Sequence, residues 1–135
     1  MTFVIDASIS VSWYLPGERT ARTELLRARL GAAGALASFI WPAEVSNILL
    51  QAERARRIAE ADTIRIGNVL RSLPISVDLE GVPLSFEIIL NLARSNGLTS
   101  YDATYLELAV RSGLPLATND RELRNAAVRM GVEVL

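Results

Sequence analysis

Asp6, Glu44, Asp102 and Asp120 are the residues of this chain best placed to do chemistry. Asp6 ends the apolar run Phe3-Val4-Ile5, Glu44 follows Pro42, Asp102 lies two residues past Ser100, and Asp120 follows Leu116-Ala117-Thr118. Each has a local role open to it. Asp6 can cap the helix that follows, Glu44 and Asp102 gain from the positive end of a helix dipole, and Asp120 or Asn119 can cap the last helix, with Glu122 completing a capping box. Glu44 also shares a helix face with Asn47, Ile48 and Gln51, which lines polar groups along one side. Taken jointly, the acids point further. Two unit charges ~5 Å apart repel by about 3 kcal/mol at an effective dielectric of ~20, so acids sharing one site need protons or cations. The chain has no histidine and no cysteine, which leaves oxygen donors only. Such a donor set selects a hard ion, Mg2+ or Mn2+. Bound singly or paired ~4 Å apart, such ions activate water and steady the leaving oxygen in phosphodiester cleavage.

The same two absences exclude Ser-His-Asp and Cys-His catalysis, imidazole-ligated metals and disulfides. Net charge is −1, and all the basic residues are arginine, whose planar fork suits phosphate. A slightly acidic chain is no general nucleic-acid coat, so any such contact is local. Arg19 and Arg22 can flank the acids or simply face solvent, and Arg54, Arg56 and Arg57 suit a helix C-terminus.

The elements that must position these residues follow from the periodicity. Phe3–Ile5 reads as a strand covered on both faces. Helix-like Val11-Ser12-Trp13-Tyr14-Leu15 follows, its large residues either core or a partner surface. Glu18 to Leu30 reads as an amphipathic helix burying Leu25, Leu26 and Leu30, closed by Gly31 to Gly34. Leu36–Ile40 is a second strand, and Pro42 opens a helix to about Arg57 on the stripe Val45, Leu49, Ala52. A helix from Glu60 to Leu73 carries Ile64, Ile66, Val69 and Leu70, and Pro74 ends it before the strand Ile75–Leu79. Pro83 opens a helix with Leu84, Ile88, Leu92 and Ala93, stopped by Asn96-Gly97. Ser100 caps the next helix, which ends at Ser112-Gly113. Leu116–Thr118 is a fourth strand, a helix follows to about Met130, and Val132–Val134 is a fifth strand.

Strands alternating with helices imply βαβ units in one parallel sheet, so the strand carboxyl ends share an edge. At 135 residues the chain is read as one domain, 1–135, half hydrophobic and able to bury about two-thirds of its unfolded surface. No apolar run approaches the ~20 residues of a membrane span, and no basic-then-apolar leader is present, so a cytoplasmic protein with no membrane partner is expected.

Four stretches carry a family resemblance: Phe3-Val4-Ile5-Asp6-Ala7-Ser8, Pro42-Ala43-Glu44-Val45-Ser46-Asn47, Tyr101-Asp102-Ala103-Thr104-Tyr105-Leu106 and Leu116-Ala117-Thr118-Asn119-Asp120. In order and spacing they resemble the signature blocks of PIN domains, most nearly the VapC toxins of toxin–antitoxin pairs. The resemblance implies an α/β fold with a parallel sheet of about five strands flanked by helices. It implies a Mg2+- or Mn2+-dependent endoribonuclease, usually a homodimer, restrained by a VapB-type antitoxin. Carried over by position, Asp6, Glu44, Asp102 and Asp120 form the acidic cluster, with Ser8, Asn47 and Thr118 as supporting polar positions. Asp6, Asp102 and Asp120 would hold the ion directly or through water, while Glu44 orients a water or ligates a second ion.

Two other readings compete. A Mg2+-dependent phosphatase could use Asp6 as nucleophile, but that chemistry usually wants an acid two residues on, where Ser8 stands, and a lysine, of which there is none. A non-catalytic PIN-fold binding protein would keep the fold without metal affinity.

Overall fold

The computed structural model describes residues 2–135. Its centre is a four-stranded parallel sheet in the order β3-β2-β1-β4. The strands are β1 (Phe3–Ile5), β2 (Ala35–Ala37), β3 (Ile75–Val77) and β4 (Leu116–Ala117). The fifth strand is present as a single parallel bridge, Leu116 to Val134, on the outer side of β4. Around the sheet run helices α1 (Ala7–Ser12), α2 (Ala21–Ala33), α3 (Trp41–Arg54), α4 (Glu60–Ser72), α5 (Leu90–Asn96), α6 (Ser100–Ser112) and α7 (Arg121–Arg129). None of the described helices is long and apolar enough to cross a membrane.

The topology places the site. The chain lays down β1, β2 and β3 in one direction, then crosses back to add β4 on the other side of β1. Strand order therefore reverses between β1 and β4, and the crevice beyond the carboxyl ends of two such strands is where open α/β sheets bind ligands. All of β1 is buried, as its unbroken apolar run requires. Trp13 and Leu15 are core, and the polar ends of both buried indoles are satisfied. Trp13 Nε1 donates to the Thr23 carbonyl at 2.7 Å and Trp41 Nε1 to Ser10 Oγ at 2.9 Å.

Several elements differ in detail from the periodicity reading. Helix α2 starts at Ala21, because Thr20 and Thr23 form a reciprocal cap. That start sets Thr23, Leu26 and Leu30 inward, leaving Leu25 74% exposed rather than buried. On α4 the buried stripe is Ile66 and Leu70, and Ile64 faces outward. Strand β2 stops at Ala37 because the chain turns at Ser38, whose hydroxyl accepts from Ile40 N at 3.2 Å and whose carbonyl accepts from Trp41 N at 2.9 Å. Just before β2, Gly34 has φ +71 and a Cβ there would lie 3.2 Å from the Pro74 carbonyl, so glycine serves both the helix end and the close approach of β3.

The stretch after Pro83 is a 3-10 turn (Val82–Leu84), then a π-helical turn (Ser85–Ile89), then α5. The π turn rotates the face, so Ile89 and Ala93 are buried and Ile88 is exposed. Helix α6 is capped by Thr99, not Ser100: its hydroxyl accepts from Asp102 N at 3.1 Å.

Candidate active site at the strand-order switch

All the singled-out acids sit at helix N-termini facing this crevice. Asp6 caps α1 and Asp120 caps α7, while Glu44 and Asp102 lie in the first turns of α3 and α6. The capping roles are therefore real, and they do not compete with a shared site.

Asp6 is the most constrained. It is 5% exposed. Its Oδ1 accepts from Ser8 Oγ at 2.7 Å and from Ile9 N at 3.1 Å, and its Oδ2 accepts from the Thr118 hydroxyl. Ser8 and Thr118 act as matched clasps. Besides donating to Asp6, Ser8 Oγ accepts from Asn119 N at 3.1 Å and Thr118 Oγ1 from Asp120 N at 2.9 Å. Two hydroxyls thus tie the end of β1 to the turn that carries Asp120. Replacing Thr118 by Val leaves a buried carboxylate oxygen and a backbone amide without this partner. Such losses cost about 1–3 kcal/mol, read as a lowered denaturation midpoint, with the Asp6 pKa moved further up.

Burial pushes the Asp6 carboxyl up to about 6 despite those donors, and Glu44 adds like-charge repulsion. Asp102 is also pushed up to about 6, first by burial and then by Asp120, Asp6 and Glu122. Glu44 is raised by burial and by Asp102, against the lowering effect of its hydrogen bond from Tyr105. The acids are thus within electrostatic reach of one another, in a site that disfavours their combined charge. Among the described residues no three acidic side chains stand close enough to close on one ion as placed. They line a notch rather than a cage, an arrangement suited to an ion that keeps several of its waters, as Mg2+ does. Donor chemistry and surplus negative charge both fit a hard divalent cation.

Asn47 stands apart from this set. It is exposed one turn along from Glu44, in a shallow groove with Gln51 and Arg57, and makes no hydrogen bond to the acids.

Two further residues take part: Tyr105, which composition and spacing did not single out, and Arg22, which the sequence left as either flanking the acids or facing solvent. Tyr105 is buried on the face of α6 and donates from its hydroxyl to Glu44 Oε1 at 2.7 Å. Burial and the neighbouring carboxylates push its own pKa far up, so it stays a donor. Its signal in the sequence was a tyrosine one turn after Asp102, in a helix whose interior needs the phenol satisfied. Arg22 reaches over from α2, donating Nη1 to Asn119 Oδ1 and Nη2 to the Thr118 carbonyl, both at 2.9 Å, and Nε to the Leu135 carbonyl at 3.0 Å. It fixes the turn between β4 and α7. Burial and nearby Arg124 lower its pKa, partly offset by Asp6. Arg19 instead bonds the Trp13 carbonyl at 3.0 Å, and Arg57 pairs with Glu18 at 2.9 Å.

The chain is similar to known proteins in sequence and in fold. The chain is 41% identical over 81 residues to Exonuclease VapC9 of Pyrobaculum aerophilum. That match takes in 59% of the chain and spans 57% of the relative's length. Among solved structures it is similar to PAE2754 from Pyrobaculum aerophilum, with TM-score 0.70 and 25% identity over 93% of this chain and 79% of that one. FitAcB from Neisseria gonorrhoeae superposes with TM-score 0.68 over 100% of this chain and 96% of that one, and at 19% identity the likeness is one of fold alone. Residues 3–129 match the PIN domain family, nearly the whole chain, and the protein belongs to that family.

Proposed function

We propose that the chain is a Mg2+- or Mn2+-dependent endoribonuclease acting as the toxin of a VapBC-type pair, restrained by a VapB-type antitoxin and working as a homodimer. The observation that carries the reading is the coupled acidic notch, where Asp6 and Asp102 are each pushed up to about 6 by burial and by other carboxylates. Similarity to Exonuclease VapC9 supports a nuclease of the VapC kind.

Asp6, Asp102 and Asp120 would hold the ion, directly or through its waters, and Glu44 would orient the attacking water or serve a second ion. When bound, the ion supplies acidified water and neutralises charge on the phosphate. The protein's own groups do the positioning. Ser8 and Thr118 hold both oxygens of Asp6. Tyr105 holds Oε1 of Glu44, which orients the carboxylate and leaves Oε2 open to accept a water proton. Water adds to phosphorus in line, the P–O3′ bond breaks, and the products are a 3′-hydroxyl and a 5′-phosphate. A phosphatase using Asp6 as nucleophile is disfavoured, since that carboxylate is buried and accepts three hydrogen bonds.

The test uses one RNA in linear and circular form, with Mn2+ or with chelator. Endonucleolytic cutting opens the circle and leaves 5′-phosphate ends only when the ion is present. An intact circle beside a linear strand shortened from its end would establish exonuclease action instead. An inert protein with no ion binding would leave the fold as a binding module.

A further inference from the structure

The arginines differ in what they touch. Arg19, Arg57, Arg65 and Arg111 pair with carboxylates. Among the described residues, Arg22 and Arg124 pair with no Asp or Glu side chain. Both instead donate Nη2 to one atom, the Thr118 carbonyl oxygen, at 2.9 and 3.0 Å. Sharing that acceptor sets two guanidinium groups side by side, more positive charge than one neutral carbonyl calls for. Burial and the nearby Arg124 charge together lower the Arg22 pKa.

Thr118 joins this pair to the acidic notch. Its hydroxyl donates to Asp6 while its carbonyl receives both arginines, so the cations stand one residue away from the acids. The two arginines are not equally occupied. Arg22 is held on every nitrogen, by Asn119 and Leu135 as well as Thr118. Among the described residues the Arg124 side chain makes one hydrogen bond, which uses one of the five N–H groups of a guanidinium. Its backbone is fixed relative to the acids, since Arg124 N donates to the Asp120 carbonyl at 3.0 Å.

We infer that Arg124 grips a phosphate of the RNA strand adjacent to the phosphate being cut, while Arg22 holds the carbonyl that aims it. The inference rests on the ribonuclease reading above and adds a contact for the strand. A guanidinium fork meets two phosphate oxygens at once. A phosphodiester seated there brings the negative charge that the arginine pair lacks. The phosphate being cut belongs to the notch on the hydroxyl side of Thr118, and the arginines lie on its carbonyl side, which leaves them a neighbouring phosphate. Such a local contact suits a chain whose net charge is −1 and which has no general attraction for a polyanion.

The experiment measures RNA affinity by fluorescence anisotropy with Mn2+ present, in the full chain carrying Asp102→Asn so that the strand stays uncut. The probe is a single-stranded RNA labelled on an internal base and ending in hydroxyls, which offers internal phosphodiesters alone. Adding Arg124→Ala is expected to raise the dissociation constant about tenfold, as loss of a charged hydrogen bond does. It should also lower the slope of log affinity against log salt by about 0.7, the value of one phosphate on a single strand. Arg124→Lys keeps the slope and recovers part of the affinity, because the charge remains and the fork does not. Arg71→Ala, an exposed site in the last turn of α4, changes neither. Circular dichroism verifies folding in each case. Affinity and slope unmoved by Arg124→Ala overturn the subsite, while the circular-RNA assay reads cleavage separately. Weaker binding with an unaltered slope marks Arg124 as a brace for the turn and overturns it as well. A loss confined to RNA carrying a 5′-phosphate assigns Arg124 to a strand end, against the inference. A chain that neither binds nor cuts RNA removes both readings.

Discussion

Asp102→Asn is expected to lower Mn2+-dependent RNA cleavage about 10³-fold or more while the protein stays folded, the size of effect that follows when several kcal/mol of transition-state stabilisation are lost. This position separates chemistry from structure most cleanly. The cap of α6 is made by the Thr99 hydroxyl on the Asp102 backbone amide, which the substitution retains. Asp6→Asn should abolish cleavage equally but disturbs more. An amide there cannot accept from Ser8, Ile9 and Thr118 all at once, because one of its two terminal atoms is a donor. The pair of variants is therefore informative together. Single-turnover assays give the rate, and far-ultraviolet circular dichroism gives the fold. Undiminished cleavage by folded Asp102→Asn would end the assignment.

The second large effect concerns stability. Asp6 and Asp102 each rise from 3.8 to about 6 on folding. Raised carboxylates favour the protonated native state, so the stability they contribute is complete below about pH 4 and is lost as pH climbs through 6. For fully enclosed Asp6 a shift of about two units corresponds to roughly 3 kcal/mol. The metal-free protein should therefore melt lower at pH 7.5 than at pH 5 on account of these groups. A divalent ion should reverse the loss. At 100 times its dissociation constant it adds about 2.7 kcal/mol, a rise of roughly 10 °C for a domain of this size. The rise should shrink at pH 5, where protons occupy the same oxygens. In the absence of metal, Asp102→Asn should be more stable than wild type at pH 7.5 and equal to it near pH 4. Calorimetric scans at the two pH values, with Mn2+ or chelator, check all of this. A midpoint indifferent to both pH and Mn2+ would count against a shared ionic site.

Much of this is legible in the amino-acid sequence. Phe3–Ile5 ending in Asp6 gives a buried strand with a charge at its tip, and the alternation of strands and helices gives the parallel sheet. What escaped was register and reach. Leu25 and Ile64 sit one or two positions off their buried stripes, and nothing local distinguishes them until the Thr20–Thr23 cap and the neighbouring helices fix rotation. The π turn at Ser85–Ile89 inserts one residue into what reads as a plain helix, which moves burial from Ile88 to Ile89. Arg22 could not be distinguished from a solvated helix arginine, because its partners Thr118 and Asn119 lie 96 and 97 positions away. Tyr105 was hidden for the opposite reason: an aromatic on an apolar helix reads as core, and its hydroxyl's partner, Glu44, comes from another helix.

The double duty of Asp6 and Asp120 reaches into descent. Each carboxylate accepts a backbone amide from the first turn of its helix, Ile9 for Asp6 and Leu123 for Asp120. A lineage that abandoned catalysis would still be held to short acidic or amide side chains at these two places by the helices themselves. Glu44 and Asp102, whose side chains accept no capping amide of their own helix, would drift first. Among descendants of such a chain, an intact pair at 6 and 120 beside a changed 44 or 102 would be the mark of an enzyme that has fallen silent.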